Sequence, residues 1–204
     1  MARIGTATGL YPYIAGLDGG ADTVMEEILD RVEDALAGYL NLPSDDSSKR
    51  QLAQQVYTWY QDGPSASEPR MLQTPYKPLV SITSIHCDDD WEYGSDTEQP
   101  AADRVVVVKR GQVWLKPSAT SSWSTTTRSI KVVGTVGYDP ADPPGALLEA
   151  VYRFSAVAYE ARKGALVHEN ADDGPMRVRW RLPKMPGNVK ELIRDYRCPG
   201  SWLT

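Results

Sequence analysis

The chain has 204 residues, 41% apolar and 24% charged, a balance that suits one soluble globular domain or a helical core carrying a smaller β element. Its net charge of −5 argues against a dedicated nucleic-acid binder held by phosphate contacts. Two cysteines, Cys87 and Cys198, offer neither a disulfide framework nor zinc spacing, and no run approaches the ~18 apolar residues of a membrane span.

Residues 1–20, rich in Gly, Ala and Tyr, show little periodicity and read as a loose N-terminal arm with no signal peptide, so synthesis in the cytosol is expected. Thr23-Val24-Met25-Glu26 fits a capping box, and Val24, Ile28, Val32, Leu36 and Leu40 then recur at four-residue spacing. A helix is predicted to about Gly38, with Glu26, Glu27, Asp30, Arg31, Glu33 and Asp34 on its remaining faces. The polar stretch 42–50 is a loop. "QQVYTWYQDG" at 54–63 carries Tyr, Thr and Trp before a turn, and is read as a strand although Leu52, Val56 and Trp59 would also fit a helix face.

From Met71 to Tyr138 the pattern is β. "PLVSITSIHC" brings Val80, Ile82 and Ile85 near one face and stops at Asp88-Asp89-Asp90. "DRVVVVKRGQVWLKP" is a hairpin turning at Arg110-Gly111, and "RSIKVVGTVGY" is the last strand. A second helix over about 144–163 places Leu147, Ala150, Val151, Phe154, Val157, Ala158 and Ala161 on one face, with Gly164 as its expected C-cap. In "MRVRWRLP", Met176, Val178, Trp180 and Leu182 alternate with Arg177, Arg179 and Arg181, the period of a strand with one basic face. Such guanidiniums would project about 6 to 7 Å apart along the strand, suited to carboxylates of a partner subunit or to grazing DNA phosphates. A solvated outer face is the plainer alternative. A short helix over about 186–196 carries Val189, Leu192, Ile193 and Tyr196 on one side, and the tail CPGSWLT ends the chain.

Every enzymatic constellation is weak, and no catalytic residue, metal site or cofactor is expected. His86 stands beside Cys87 in "IHCDDD", but neighbours on a strand face opposite ways and cannot easily share one ion. His168 lies in a polar stretch with nothing that marks it as a base. Gly134-Thr-Val-Gly137 lacks the third glycine of a dinucleotide fingerprint, and the acids and prolines after it would repel a phosphate. A small metal-dependent hydrolase or binding module using His86, Asp88, Asp90 and His168 stays open as the rival reading.

The sequence "VVGTVGYDPADPPGALLEAVYRFSAVAYEARKG", followed by "WRLPKMPGNVKELIRDYR", resembles the head–tail connector (adaptor, head-completion) proteins of long-tailed bacteriophages and gene transfer agents. A G-Y dipeptide closes a strand, a proline-bearing turn opens a long helix, and "LP…V…L…YR" follows near the C-terminus. Upstream, "VMEEILDRVEDALAGYL" and "TPYKPLVSITSI" resemble the first helix and a strand of that family, so the likeness covers about 20–198.

The resemblance implies an α+β chain: a helical core of two long helices plus a short C-terminal helix, with an inserted antiparallel β element. Its expected parts are an arm (1–20), a helical part of the core (21–53), the β element (54–138), helical core with the basic strand (139–197) and a tail (198–204). It implies a non-enzymatic virion protein, made and assembled in the host cytoplasm. This would form a homo-oligomeric ring, commonly dodecameric, at the head–tail interface beneath the portal protein. The ring would extend the DNA channel, pass double-stranded DNA without sequence preference, contact no membrane and dock a stopper or tail-completion protein. A stopper or tail terminator is the alternative within virion assembly. Candidate subunit contacts are Arg177, Arg179, Trp180 and Arg181, and candidate portal-docking residues are Ile193, Tyr196, Arg197, Trp202 and Leu203. Gly137, Tyr138, Pro140, Pro143 and Pro144 are expected as the joint between sheet and helix, with Pro144 at or near the first helical position.

Overall fold

A computed structural model describes residues 3–15, 22–44, 50–65, 67–169 and 181–197. It is an α+β structure, and its residues gather into two compact units. One is helical and contains residues 3–15, 22–40, 50–53 and the described residues from Tyr138 to Arg197; the other is the β unit, with residues 41–44 and the described residues from Gln54 to Gly137.

The helical unit contains α1 (Ala7–Leu10), α2 (Asp22–Tyr39), α3 (Gly145–Glu169) and α4 (Gly187–Ile193), and α3 packs on α1, α2 and α4. Residues 3–15, expected as a loose arm, form α1 and a 3-10 turn at Tyr11–Tyr13, and bury Ile4, Leu10 and Ile14. Because α2 begins at Asp22, Thr23 lies inside its first turn and does not cap it. The buried face of α2 is wider than a single stripe: Met25, Leu29 and Ala37 join Ile28, Val32, Leu36 and Leu40. That second row also carries Glu33, which the sequence pattern had assigned to a polar face.

On α3, Leu147, Ala150, Val151, Phe154 and Ala158 are buried as expected, whereas Val157 and Ala161 are exposed. The helix does not end at Gly164 but runs on to Glu169. A glycine stops a helix only where the chain turns left-handed after it, and here the backbone stays helical. Among the described residues no helix is long and apolar enough to cross a membrane.

The β unit holds two antiparallel three-stranded sheets. The first has the order β1 (Gln55–Gln61), β6 (Ile130–Val136), β3 (Leu79–Cys87); the second has β2 (Met71–Gln73), β5 (Gln112–Leu115), β4 (Arg104–Val107). The ambiguous segment is therefore the strand β1, which buries Tyr57, Trp59 and Gln61 on alternate positions, as β6 buries Ile130, Val132, Gly134 and Val136. The Trp59 indole donates to Gln61 Oε1 at 2.8 Å, and Gln61 Nε2 passes a bond to the Gln73 carbonyl at 3.0 Å, so the buried amide is satisfied.

Gly134 leaves room for this arrangement: a Cβ there would lie 2.7 Å from the Ser81 carbonyl and 3.2 Å from the Trp59 ring. Along β3 the expected single face breaks down, with Ile85 fully buried, Ile82 partly and Val80 exposed. Bulges between Leu79 and Ser81 and between Ile82 and Ser84 shift the alternation. The β4–β5 hairpin turns as predicted, through a 3-10 turn at Val108–Arg110 and Gly111 at φ 61°.

Candidate functional site

The joint expected between sheet and helix has a simple local construction. In the β unit, Gly137 at φ 117° donates its N–H to the Pro78 carbonyl at 3.1 Å. In the helical unit, buried Tyr138 donates to the Leu52 carbonyl at 2.8 Å and pairs with Ala53 in an isolated parallel bridge. Asp139 Oδ1 accepts the Ala141 N–H at 2.9 Å, so this carboxylate holds a turn. Pro140 is exposed, Pro143 and Pro144 are partly buried, and the Pro144 carbonyl accepts from Leu147 and Leu148 at 2.9 and 3.0 Å. Pro144 thus precedes the first helical residue and accepts its first bonds. The acid-and-proline knot is a stiff turn, and its Asp139 and Asp142 carboxylates would repel a phosphate.

Of the candidate docking residues, Ile193 is fully buried and serves the packing of the helical unit. The Tyr196 ring meets Tyr138 edge-on, 6.0 Å between centroids at 71°, and the Arg197 guanidinium lies 5.4 Å from the Tyr39 ring centroid. The chain's exit toward residue 198 is therefore pinned at two aromatic contacts. Trp202 and Leu203 lie outside the described residues, as do Arg177, Arg179 and Trp180. Arg181 is exposed and belongs to no strand.

A second constellation went unnoticed in the sequence: residues 3–15 are tied across α2 and α3. The Glu33 carboxylate accepts the N–H groups of Gly5 at 2.9 Å and Ile4 at 3.2 Å. Burial pushes its pKa up to about 7, against the partial relief of those two bonds and of the nearby Arg3. Arg3 pairs with Asp30 at 2.9 Å, the Tyr152 hydroxyl accepts the Thr6 N–H at 3.3 Å, and Tyr13 hydrogen-bonds Glu149. The spacing Met25–Leu29–Glu33–Ala37 was the available signal: a carboxylate placed on an apolar row.

In the β unit a cleft of about 530 Å³ is lined by Tyr60, Trp91, Glu92, Tyr93, Arg128 and Lys131. Strand register makes Tyr60 and Lys131 cross-strand partners, and the Tyr60 and Tyr93 rings lie 5.2 Å apart. Arg128 sits 5.8 Å from the Tyr60 ring centroid and Lys131 5.7 Å from that of Tyr93. Trp91, Tyr93 and Arg128 all have positive φ, at 63°, 52° and 54°. Such backbone costs on the order of 1–3 kcal/mol per residue and must be held by its surroundings. Asp88 provides the hold by accepting the Asp90 and Tyr93 N–H groups at 2.9 and 2.7 Å, while the Trp91 indole donates to the Thr127 carbonyl at 3.1 Å.

The same bonds give Asp88 a local task, and His86 Nδ1 lies 3.1 Å from the Gly94 carbonyl. Among the described residues no three His, Cys, Asp or Glu side chains are placed to hold a metal ion, and the His168 side chain is outside them. Cys87 is a free thiol that burial pushes up to about 11, far from the thiolate a nucleophile needs. On the second sheet Met71, Trp114 and Val105 pair across three strands, and Trp114 and Val105 remain 39% and 45% exposed, an apolar row open to solvent.

No family model and no curated protein matches the chain. Solved structures do. The fold is similar to a chain in the virion of a native gene transfer agent particle, with TM-score 0.59 and 18% identity over 97% of this chain and 91% of that one. It is also similar to chains in the neck of the empty particle computed with C6 symmetry (TM-score 0.56, 17% identity, 96% and 91% covered) and of the native particle computed with C12 symmetry (0.55, 18%, 90% and 86%). At these identities the likeness is one of fold.

Proposed function

We propose that the chain is a structural neck protein, a head–tail adaptor that forms a ring beneath the portal, extends the DNA channel and presents a platform for the stopper or tail. The observation that carries this reading is the likeness in fold to neck chains of a gene transfer agent particle, which runs through both units. The order of motifs around Gly137–Tyr138 supports it independently. In this reading the helical unit builds the ring wall, and the particle symmetries of the similar chains suit a cyclic homo-oligomer. The Met71–Trp114–Val105 row, with Trp114 and Val105 exposed, and Arg177, Arg179 and Arg181 are assigned to subunit contacts, since aromatic and arginine side chains are enriched where proteins meet. Residues 198–204, leaving from the pinned Tyr196–Arg197 segment, are assigned to the portal.

Negative-stain microscopy of the purified protein, alone and mixed with portal, tests the assignment. Rings seated on the portal are expected. A chain that never binds portal at high concentration overturns it, whereas a free monomer does not, because ring parts can assemble on their template alone.

A further inference from the structure

We propose that the cleft formed by Tyr60, Trp91, Tyr93, Arg128 and Lys131 binds a segment of a partner protein that presents a single carboxylate beside an apolar side chain, taking the carboxylate between the two cations and the apolar neighbour on the Trp91 ring. Two polar edges of the aromatic lining are already satisfied within the chain. The Trp91 indole N–H is donated to Thr127 and the Tyr93 hydroxyl to the Arg128 carbonyl. Trp91 and Tyr93 therefore offer a ligand ring face, and Trp91 is 58% exposed. Arg128 and Lys131 lie against Tyr60 and Tyr93, and neither pairs with a carboxylate among the described residues. Two cations held on rings and lacking a counter-ion make a carboxylate the complementary group.

Preorganisation is the second argument. Three side-chain-bearing residues with positive φ meet at this one cleft, and Asp88 and Asp62 fix them: Asp88 accepts from Tyr93, and Asp62 Oδ1 accepts the Arg128 N–H at 2.7 Å. Rigid Trp, Tyr and Arg anchors are the composition of an interface centre, and their order is present before any ligand arrives.

The charge pattern selects protein over nucleic acid. Glu92 lines the cleft, Asp88, Asp89 and Asp90 precede it on the same loop, and the chain carries −5 overall. A phosphodiester backbone would need a longer run of cations and would meet these acids. One isolated carboxylate needs only the pair.

The experiment uses the full chain and a terminally blocked peptide of leucine and serine with one central glutamate. It follows the Trp91 indole resonance, identified by its loss in Trp91→Phe. A saturable shift is expected, weakened about tenfold when glutamine replaces glutamate in the peptide, or when Arg128→Gln and Lys131→Gln are combined. Unmoved Trp59 and Trp123 resonances show that the double variant is folded; if they move, Lys131→Gln alone carries the comparison. The charge-preserving pair Arg128→Lys and Lys131→Arg should keep most of the affinity. Absence of a saturable shift, equal affinity in the glutamine variants, or tighter binding of a short oligothymidylate each overturns the proposal. None of these outcomes depends on whether the chain forms rings.

Discussion

Glu33 receives the Gly5 N–H at 2.9 Å inside the helical unit, so a carboxyl group with 3% exposure joins the start of the chain to α2. Its pKa, raised from 4.5 to about 7 by burial, makes this joint sensitive to pH. The folded chain holds the Glu33 proton more tightly than the unfolded chain. The stabilisation is therefore complete below about pH 4.5 and is lost as pH rises through about 7. A loss of roughly 3 kcal/mol is the scale such a shift implies. Glu33→Gln keeps an acceptor for both amides and removes the titration. Denaturant melts of the variant should lose that part of the pH dependence, and an unchanged slope would mean that Glu33 ionises freely.

Gly134→Ala sets a Cβ against the Ser81 carbonyl, a backbone atom that cannot swing away. Destabilisation of about 1–3 kcal/mol is expected from the forced shift. It should appear in the near-ultraviolet signal of Trp59, whose ring lies over this glycine.

Deletion of residues 198–204 should weaken portal docking and leave the melting of the helical unit unchanged, because Tyr196 and Arg197 remain on Tyr138 and Tyr39. Tyr196→Ala should do the converse in part, lowering stability by about 1 kcal/mol or more through the lost ring contact. Co-sedimentation with portal beside thermal melts separates the two. Unchanged docking by the truncated chain would move the contact elsewhere.

Joint replacement of Arg177, Arg179 and Arg181 by Gln should impair assembly or flatten its dependence on salt, read by light scattering across ionic strength. If neither changes, the stripe is a solvated face.

Trp114→Ser with Val105→Ser removes the exposed apolar row on the second sheet. On the subunit-contact reading, ring yield on portal should fall at temperatures well below the variant's own melting midpoint, since the exposed part of both side chains is what a neighbouring subunit would cover. Unaltered yield would leave that row without a role in assembly.

Much of the architecture was legible because local rules act alone in those places. Alternation in "QQVYTWYQDG" and "KVVGTVG" suffices for β1 and β6, and four-residue spacing suffices for α2 and the buried half of α3. The departures have tertiary causes. Bulges re-aim β3, which no period-two count can register. Glu33 looked solvated because charged residues usually are, although its row partners Met25, Leu29 and Ala37 are apolar. The cleft was invisible because Tyr60, Trp91, Tyr93 and Arg128 converge only through strand register and left-handed turns. Its trace in the sequence was the excess of Tyr and Trp over Phe.

Ala53 and Tyr138 stand side by side in a parallel bridge, and the long segment Gln54–Gly137 starts and ends beside them. That segment thus begins and ends one strand spacing apart. Insertions tolerated by a folded host share this property of neighbouring ends. The segment Gln54–Gly137 can accordingly be exchanged, shortened or grafted while Ala53 and Tyr138 keep their bridge. Such an exchange would let the cleft's binding preference diverge while the helical packing stays the same.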